Sequence, residues 1–596
     1  MQQHLLTCFK CPQAVKKQIN DVNNSQSNLT PESTTTSLNS ENTSTENIRD
    51  LREEFAKALL ITGTPLAMVE HPLWVKIFEK LNIKLPNRKS IATKYLEKIY
   101  KEMNKEISDD LKASNFLHLQ CDGWTDVCNE GIINFLISKP EPVFIKSHNR
   151  HTSEYLSCET EKVMKSYGVS KFVVLIGDNA RNAQKSFETI KDKYPHIVPL
   201  NCAADTLNLL CVDVIKAPEV KAFINLATDV IKNIKKSQFL SALLSKIRKE
   251  KSSSQSLKLS CKTRWGSHVS ALKSLKINKA ALQTLAVNEN LQPTPDIKST
   301  LLDEDFWSMI EQFISVLEHI AESIYKLEGN EFNIHDVFMV LRNMKSKLEF
   351  VLPTITMLDD DSKENIKTYI EKRVKQCIKP IHYAAYMFDP KSAGIELNQA
   401  EETEAMELIY NLAEHCNSDC LADLAKYKAK EGLWSKPFTW KAAEKVNPIL
   451  WWKGICGSSQ LSKVALRVLT APCTSAATER SFSTQGFIHS AKRNRLTSER
   501  AAKITFLSYN WNLLNKGENI NRVYSEDTVP ERSDMEDTDD DMLHDAAMEG
   551  HMQEDMESSL REDIWEDMEP VASTSQQTNH IEFVNISECL YDTDSD

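Results

Sequence analysis

The spacing of apolar residues changes several times along this chain, and each change marks a different kind of segment. Residues 18–48, "QINDVNNSQSNLTPESTTTSLNSENTSTENI", are rich in Ser, Thr and Asn and too poor in large apolar groups to bury a core, so they read as a linker. Helical spacing starts near Asn47. "IRDLREEFAKALLITG" sets Leu51, Phe55, Leu59 and Leu60 on one face, and "HPLWVKIFEKLN" and "NRKSIATKYLEKIYKEMNKEISDDLKAS" continue it. From residue 115 the period shortens. "FLHLQCDGW", "GIINFLIS" and "PVFIKSH" are short β-rich runs bounded by Gly, Pro and Asn. "TSEYLSCETEKVMKSYG" predicts a helix capped by Thr or Ser, "KFVVLIGD" a fourth strand, "NARNAQKSFETIKDKYP" a second helix and "HIVPLN" a fifth strand. From residue 203 to about 470 helical spacing prevails, as in "KAFINLATDVIKNIKKSQFLSALLSKIRKE" and "EDFWSMIEQFISVLEHIAESIYKLEG", and the plain reading of such stripes is the core of a helical bundle. A last compact segment covers 434–515, rich in Trp and aliphatic residues.

The predicted order is β-β-β-α-β-α-β. Three hairpin-linked strands followed by βαβ crossovers match a ribonuclease H-like layout, a mixed sheet with helices on both faces. The expected fold class is therefore α/β plus α, with a small helical region at 49–113, the mixed core at 114–215, a long helical stretch at 216–433 and the compact segment at 434–515. At 596 residues the chain is too long for one hydrophobic core.

Composition changes this picture mainly through charge. The apolar fraction of 41% and charged fraction of 26% are ordinary for a globular chain. No apolar run reaches the length of about eighteen residues needed to span a bilayer, so no membrane partner is expected. The N-terminus lacks an apolar signal segment, and the 14 scattered cysteines read as reduced thiols in a reducing compartment. The net charge of −12 hides an asymmetry: residues 526–596 hold 24 Asp or Glu and two Arg, a net of −22, which leaves +10 for residues 1–525. A mildly basic body suits a polyanion such as DNA, and the acidic stretch within 516–596 reads as a solvated, disordered tail. That tail could also compete with DNA for the basic body.

Three acidic motifs carry the candidate chemistry: Asp122 in "HLQCDGWTD", Asp178 in "FVVLIGDNARNA" and Glu479 in "SAATERSFS". Each has a plainer reading. Asp-Gly after a strand is common turn chemistry, Asp-Asn-Ala is a good turn or helix start, and Glu479 could be a solvated helix residue. Read together on this strand order, three carboxylates can hold two divalent ions over a phosphodiester, activating the attacking oxygen and stabilising the leaving one. Trp265 lies beside Lys262 and Arg264 in "CKTRW", and Lys492, Arg493 and Arg495 form a short basic cluster that could touch phosphate. A helix-packing Trp and a solvated surface are the competing readings.

Five stretches resemble transposases of the hAT superfamily, in the branch with a BED zinc finger: "CDGWTDVCNEGIINFLIS", "GDNARNAQKSFETIKDKYPHI", "NCAADTLNLL", "CKTRWGSHVSALKSL" and "CTSAATERSFSTQGFIHSAKRNRL". The resemblance spans about residues 50–515. It implies that Asp122, Asp178 and Glu479 are a catalytic DDE triad binding Mg²⁺ or Mn²⁺. It also implies that a large helical insertion interrupts a ribonuclease H-like core, and that 434–515 is a C-terminal dimerisation region that completes it. Trp265 would stack on a flipped base, with Lys262 and Arg264 holding the backbone. The implied partners are DNA and a second copy of the chain, with no small-molecule substrate, and the implied location is the nucleus.

Two departures stand against full activity. Where the family shows Cys-x2-His, this chain has Cys202-Ala-Ala-Asp205, which adds a carboxylate near the metal site. Residues 1–17 resemble only the end of a BED finger: His4 and Cys8 have the spacing of its last two ligands, and a structural zinc site needs four. Zinc is expected only if missing N-terminal sequence completes the finger. The sequence therefore predicts a hAT transposase-like protein that binds DNA and self-associates, with metal-dependent strand cleavage and transfer weak or absent. The alternative is a non-catalytic, domesticated nuclear scaffold.

Overall fold

The computed structural model describes residues 40–125, 131–139, 141–148, 152–251, 255–260, 266–288, 293–329, 332–489 and 496–515. The helices that precede the sheet include α1 (Ser40–Ile61), α2 (Pro72–Lys80) and α3 (Leu96–Ala113). Then come β1 (Leu117–Thr125), β2 (Gly131–Ser138), β3 (Pro142–His148), α4 (Ser153–Tyr167), β4 (Phe172–Gly177), α5 (Arg181–Lys193) and β5 (Val198–Asn201). The long helical stretch starts with α6 (Ala203–Ile215), α7 (Pro218–Lys236), α8 (Gln238–Glu250), α9 (Gly266–Ile277), α10 (Lys279–Ala286), α11 (Pro295–Leu302) and α12 (Glu304–Glu328). It continues through α13 (Ile334–Val351), α14 (Asp360–Cys377), α15 (Pro380–Phe388), α16 (Gln399–His415), α17 (Leu421–Ala429), α18 (Pro437–Ala443) and α19 (Pro448–Gly454). The last helices are α20 (Gln460–Leu469), α21 (Ala476–Ile488) and α22 (Ser498–Leu514). The described chain is mostly helical, and no described helix is long and apolar enough to cross a membrane.

The strands form one five-stranded mixed sheet in the order β3-β2-β1-β4-β5. β1–β2 and β2–β3 are antiparallel, as hairpin connections dictate, while β1–β4 and β4–β5 are parallel and need crossover helices. Every residue of β4, "FVVLIG", is buried, the signature of a central parallel strand covered on both faces. The helix predicted after residue 152 is capped as expected, the Tyr155 N–H donating to Thr152 Oγ1 at 3.3 Å.

Two cores flank the sheet. One contains Val174, Ile176 and Leu200 and runs on through the long helical stretch as far as Val468 and Cys473. The other contains Leu119, Phe135 and Leu175 of the opposite face and runs on to α1, α3, α4, α5 and α22, and to Ala477 and Ile488 of α21. Tyr100 of α3 meets Phe506 of α22 edge-on at 4.9 Å, and Lys503 of α22 pairs with Glu97 at 2.8 Å. At the β3 edge, Asn510 of α22 donates to the Phe144 carbonyl at 2.8 Å and accepts from its N–H at 2.9 Å. A side-chain amide thus satisfies a strand edge that would otherwise invite pairing with another chain.

The C-terminal segment divides its aromatic residues, leaving Phe438 and Phe487 exposed. Trp434, Trp451 and Trp452 are buried inside the helical core. The indole N–H groups of Trp440, Trp451 and Trp452 donate to the carbonyls of Trp434, Thr439 and Phe388 at 2.6, 2.7 and 2.7 Å. Trp451 and Trp452 can be buried this completely because their one polar group is satisfied by backbone. The segment is also divided, with α18–α20 in one core and α21–α22 in the other.

Candidate functional site

The β1–β4 register fixes the first two acidic residues. Gln120 pairs with Ile176, so two steps on, Asp122 and Asp178 stand on the same face just past the β1–β4 pairing, Asp178 after the end of β4 and Asp122 within β1, which runs on to Thr125 against β2. Open α/β sheets form their ligand crevices at such ends. The backbones approach closely here: a Cβ on Gly177 would lie 2.8 Å from the Cys121 carbonyl oxygen, so only glycine fits.

Two helix N-termini close on this edge. α6 begins after Cys202, whose N–H donates to the Gly177 carbonyl at 2.9 Å, and carries Asp205 in its first turn. α21 begins after Ser475 and carries Glu479 in its first turn. The two helix starts are tied together. Ala203 N–H donates to the Cys473 carbonyl at 3.2 Å, Ser475 N–H to Cys202 Sγ at 3.4 Å, and Ser475 Oγ to Asp205 Oδ2 at 3.4 Å. A carboxylate in the first turn is favoured by the positive end of the helix dipole.

The turn chemistry weighed against these residues is present as well. Asp122 Oδ1 accepts the Gly123 N–H at 2.8 Å, and Asp178 Oδ1 accepts the Ala180 N–H at 3.2 Å. Asp178 therefore shapes the turn before α5, whose N-cap position is Ala180. A turn role and a site role coexist in one side chain.

The electrostatics show which residues face one another. Burial, then the negative charges of Asp178, Asp205 and Glu479, push the Asp122 carboxyl well above the usual carboxylate range, against the Gly123 hydrogen bond. Burial pushes Asp205 up to about 6, with Glu479 and Asp178 adding to it and hydrogen bonds from Cys202 and Ser475 opposing. The neighbouring thiols of Cys121 and Cys202 are driven well up by burial and nearby carboxylates. The site is thus a cluster of carboxylates that includes Asp205, in which repulsion favours keeping a proton.

As donors, carboxylate oxygens suit Mg²⁺ or Mn²⁺. Their spacing does not: among the described residues no group of three or more His, Cys, Asp or Glu is arranged to hold one metal ion.

One contributor escaped sequence reading. Asn134 of β2 is the direct cross-strand neighbour of Asp122, and it is fully buried. Its amide donates to Ser481 Oγ at 2.9 Å and to Gln485 Oε1 at 3.1 Å, both on α21. It ties the helix carrying Glu479 to the strand beside Asp122. Farther along the same face His118 meets Thr470 Oγ1 at 3.0 Å, and burial drives its imidazole down to about 3, so it is neutral. The available signal was a polar residue inside the apolar run "GIINFLIS", with Ser481 and Gln485 one helical turn apart. Trp265, Arg264 and Lys262, the cluster Lys492, Arg493 and Arg495, and the finger remnant His4 and Cys8 all lie outside the described residues.

Comparison with known families agrees with this arrangement. Residues 86–236 match a domain of unknown function, DUF659, which covers the sheet and its crossover helices. Residues 200–316 match the ZBED1 RNase-like helical domain, and residues 423–511 match the hAT family C-terminal dimerisation region. No curated protein matches the chain. Together the three matches cover residues 86–316 and 423–511, and they support an hAT-family transposase-like protein.

Proposed function

We propose that this transposase-derived chain is a nuclear protein that binds DNA and self-associates, and that strand cleavage at its carboxylate site is weak or absent. The observation that carries this reading is the position of Asp205, in the first turn of α6, where it adds a further negative charge to the surroundings of Asp122. Burial and the carboxylates around Asp122 raise its carboxyl, and a cation would have to compete with a proton there. The strand order β3-β2-β1-β4-β5, with helices on both faces, supports descent from a ribonuclease H-like nuclease core. The match to a dimerisation region supports self-association, and the net charge of +10 in residues 1–525 supports a polyanionic partner.

The rival reading, DDE-type cleavage and strand transfer, is favoured by the convergence of Asp122, Asp178 and Glu479 at one sheet edge. One experiment separates the two. The full chain is titrated with labelled DNA at several salt concentrations, then incubated with DNA and Mg²⁺ or Mn²⁺. The expected result is an affinity falling linearly with salt on logarithmic axes, and nicking no greater than that of Asp178→Asn. Efficient nicking that Asp178→Asn abolishes would make the chain an active nuclease and overturn this reading.

A further inference from the structure

The corner between α7 and α8 carries a charged surface apart from the carboxylate edge. Residues 230–280 contain 13 Lys or Arg and a single acidic residue, Glu250. The described lysines fall into two classes. Lys273, Lys276 and Lys279 pair with Glu318, Glu311 and Glu304 on α12. Lys232, Lys235 and Lys236 at the end of α7, and Lys246 and Lys249 on α8, are exposed and pair with no described carboxylate. Unpaired like charges so close in sequence repel, a cost that a polyanion relieves.

An aromatic residue stands among them. Phe239, in the first turn of α8, is 77% exposed. Its exposure is set by a defined corner: Leu240 N–H donates to Ser237 Oγ at 3.3 Å, and Ser241 Oγ donates to the Ile234 carbonyl at 2.9 Å. The opposite side of α8 is anchored in the core by Leu240, Leu244 and Ile247. From Phe239 the positions Ala242, Lys246 and Lys249 follow at steps of three and four, along one outward face. Ten helical residues cover about 15 Å, the span of about four phosphates along a strand.

We propose that this face binds single-stranded nucleic acid, with Lys235, Lys236, Lys246 and Lys249 holding phosphates and Phe239 stacking on a base. The proposal rests on the DNA-binding reading above and gives that binding a place. Cations interleaved with an exposed ring match an alternation of phosphates and flat bases. A duplex keeps its bases stacked on each other, which leaves Phe239 nothing to cover.

The test uses the full chain, a labelled oligothymidylate and a duplex of equal length. Combined Lys235→Ala, Lys236→Ala and Lys246→Ala should weaken binding about tenfold or more at low salt. It should also flatten the salt slope by roughly two, at about 0.7 per lost phosphate contact on a single strand. Phe239→Ala should weaken oligothymidylate binding about tenfold and leave the duplex nearly unchanged. Lys276→Ala, at a lysine already paired, should do neither, and all variants should melt like the parent because the altered side chains are exposed. Parent-like affinity and slope in the triple variant, while the parent binds DNA, would overturn this face and leave the DNA-binding reading standing. Equal losses of strand and duplex on Phe239→Ala would overturn the stacking. A parent that binds neither nucleic acid would overturn both readings.

Discussion

Asp205 shows how one side chain sets the character of a site. In the unfolded chain its carboxyl titrates near 3.8, and in the folded chain near 6. The folded state therefore holds the proton more tightly. The native fold gains from Asp205 below pH 4 and loses that gain as the pH rises through 6. At about 1.36 kcal/mol per unit, and allowing for solvent at this partly exposed edge, the loss by pH 7 is roughly 1–3 kcal/mol. Asparagine cannot ionise. Asp205→Asn should therefore match the parent near pH 4 and exceed it in stability by that amount at pH 7, read from urea unfolding at each pH. A stability difference that does not grow with pH would show that Asp205 is not held up by its neighbours. Asp122 shifts in the same direction, and relief of its repulsion in this variant adds to the expected gain.

At the scale of elements, the site depends on how α21 is seated. The helix has no extended apolar stripe of its own, and it lies on a sheet face that presents Gln120, Asn134 and Ser138, all buried. Buried polar contacts of this kind give little net stability when made and cost much when broken, so they specify a position. Asn134→Ala would strand the Gln485 acceptor and open space beneath the helix, at about 1–3 kcal/mol. The expected signature is faster amide exchange across 476–488, ahead of any change in β4. Uniform loss of protection across the sheet and α21 would mean that Asn134 is merely part of the core. The same logic applies at the β3 edge, where Asn510 reaches across 366 residues of sequence to satisfy both backbone groups of Phe144.

At the scale of the molecule, the matched dimerisation region is not an appendage. Residues 423–511 supply α18–α20 to the helical core and α21–α22 to the sheet core. Ending the chain at residue 430 would empty both cores, so its oligomeric state could not report on self-association alone. Charge is separable. Removing residues 526–596 takes the net charge from −12 to +10. The shortened chain should bind DNA more tightly at low salt, with the advantage shrinking as salt screens it. Equal affinities with and without the tail at low salt would show that the acidic stretch does not act on the DNA-binding surface.

The order of elements was legible because each rests on local spacing. β4 announced itself as an unbroken apolar run, and the hairpins β1–β3 by short alternating runs between turn residues. Asp178 was legible for the same reason, since it follows the apolar run of β4 directly, whereas Asp122, read as the end of its strand, lies inside β1, which continues to Thr125 by pairing with β2. Glu479 was named by reading three acidic motifs together, because nothing local brings residue 479 to residue 122. What sequence could not settle depends on contacts between distant segments. Burial of Trp451 and Trp452 required the carbonyls of Thr439 and Phe388 and the walls of neighbouring helices, which local spacing does not reveal. The role of Asn134 required α21 to arrive from 347 residues away. The exposure of Phe239 was hidden too, since its place one residue before Leu240 looks like any other position in an amphipathic helix until the core has chosen its side.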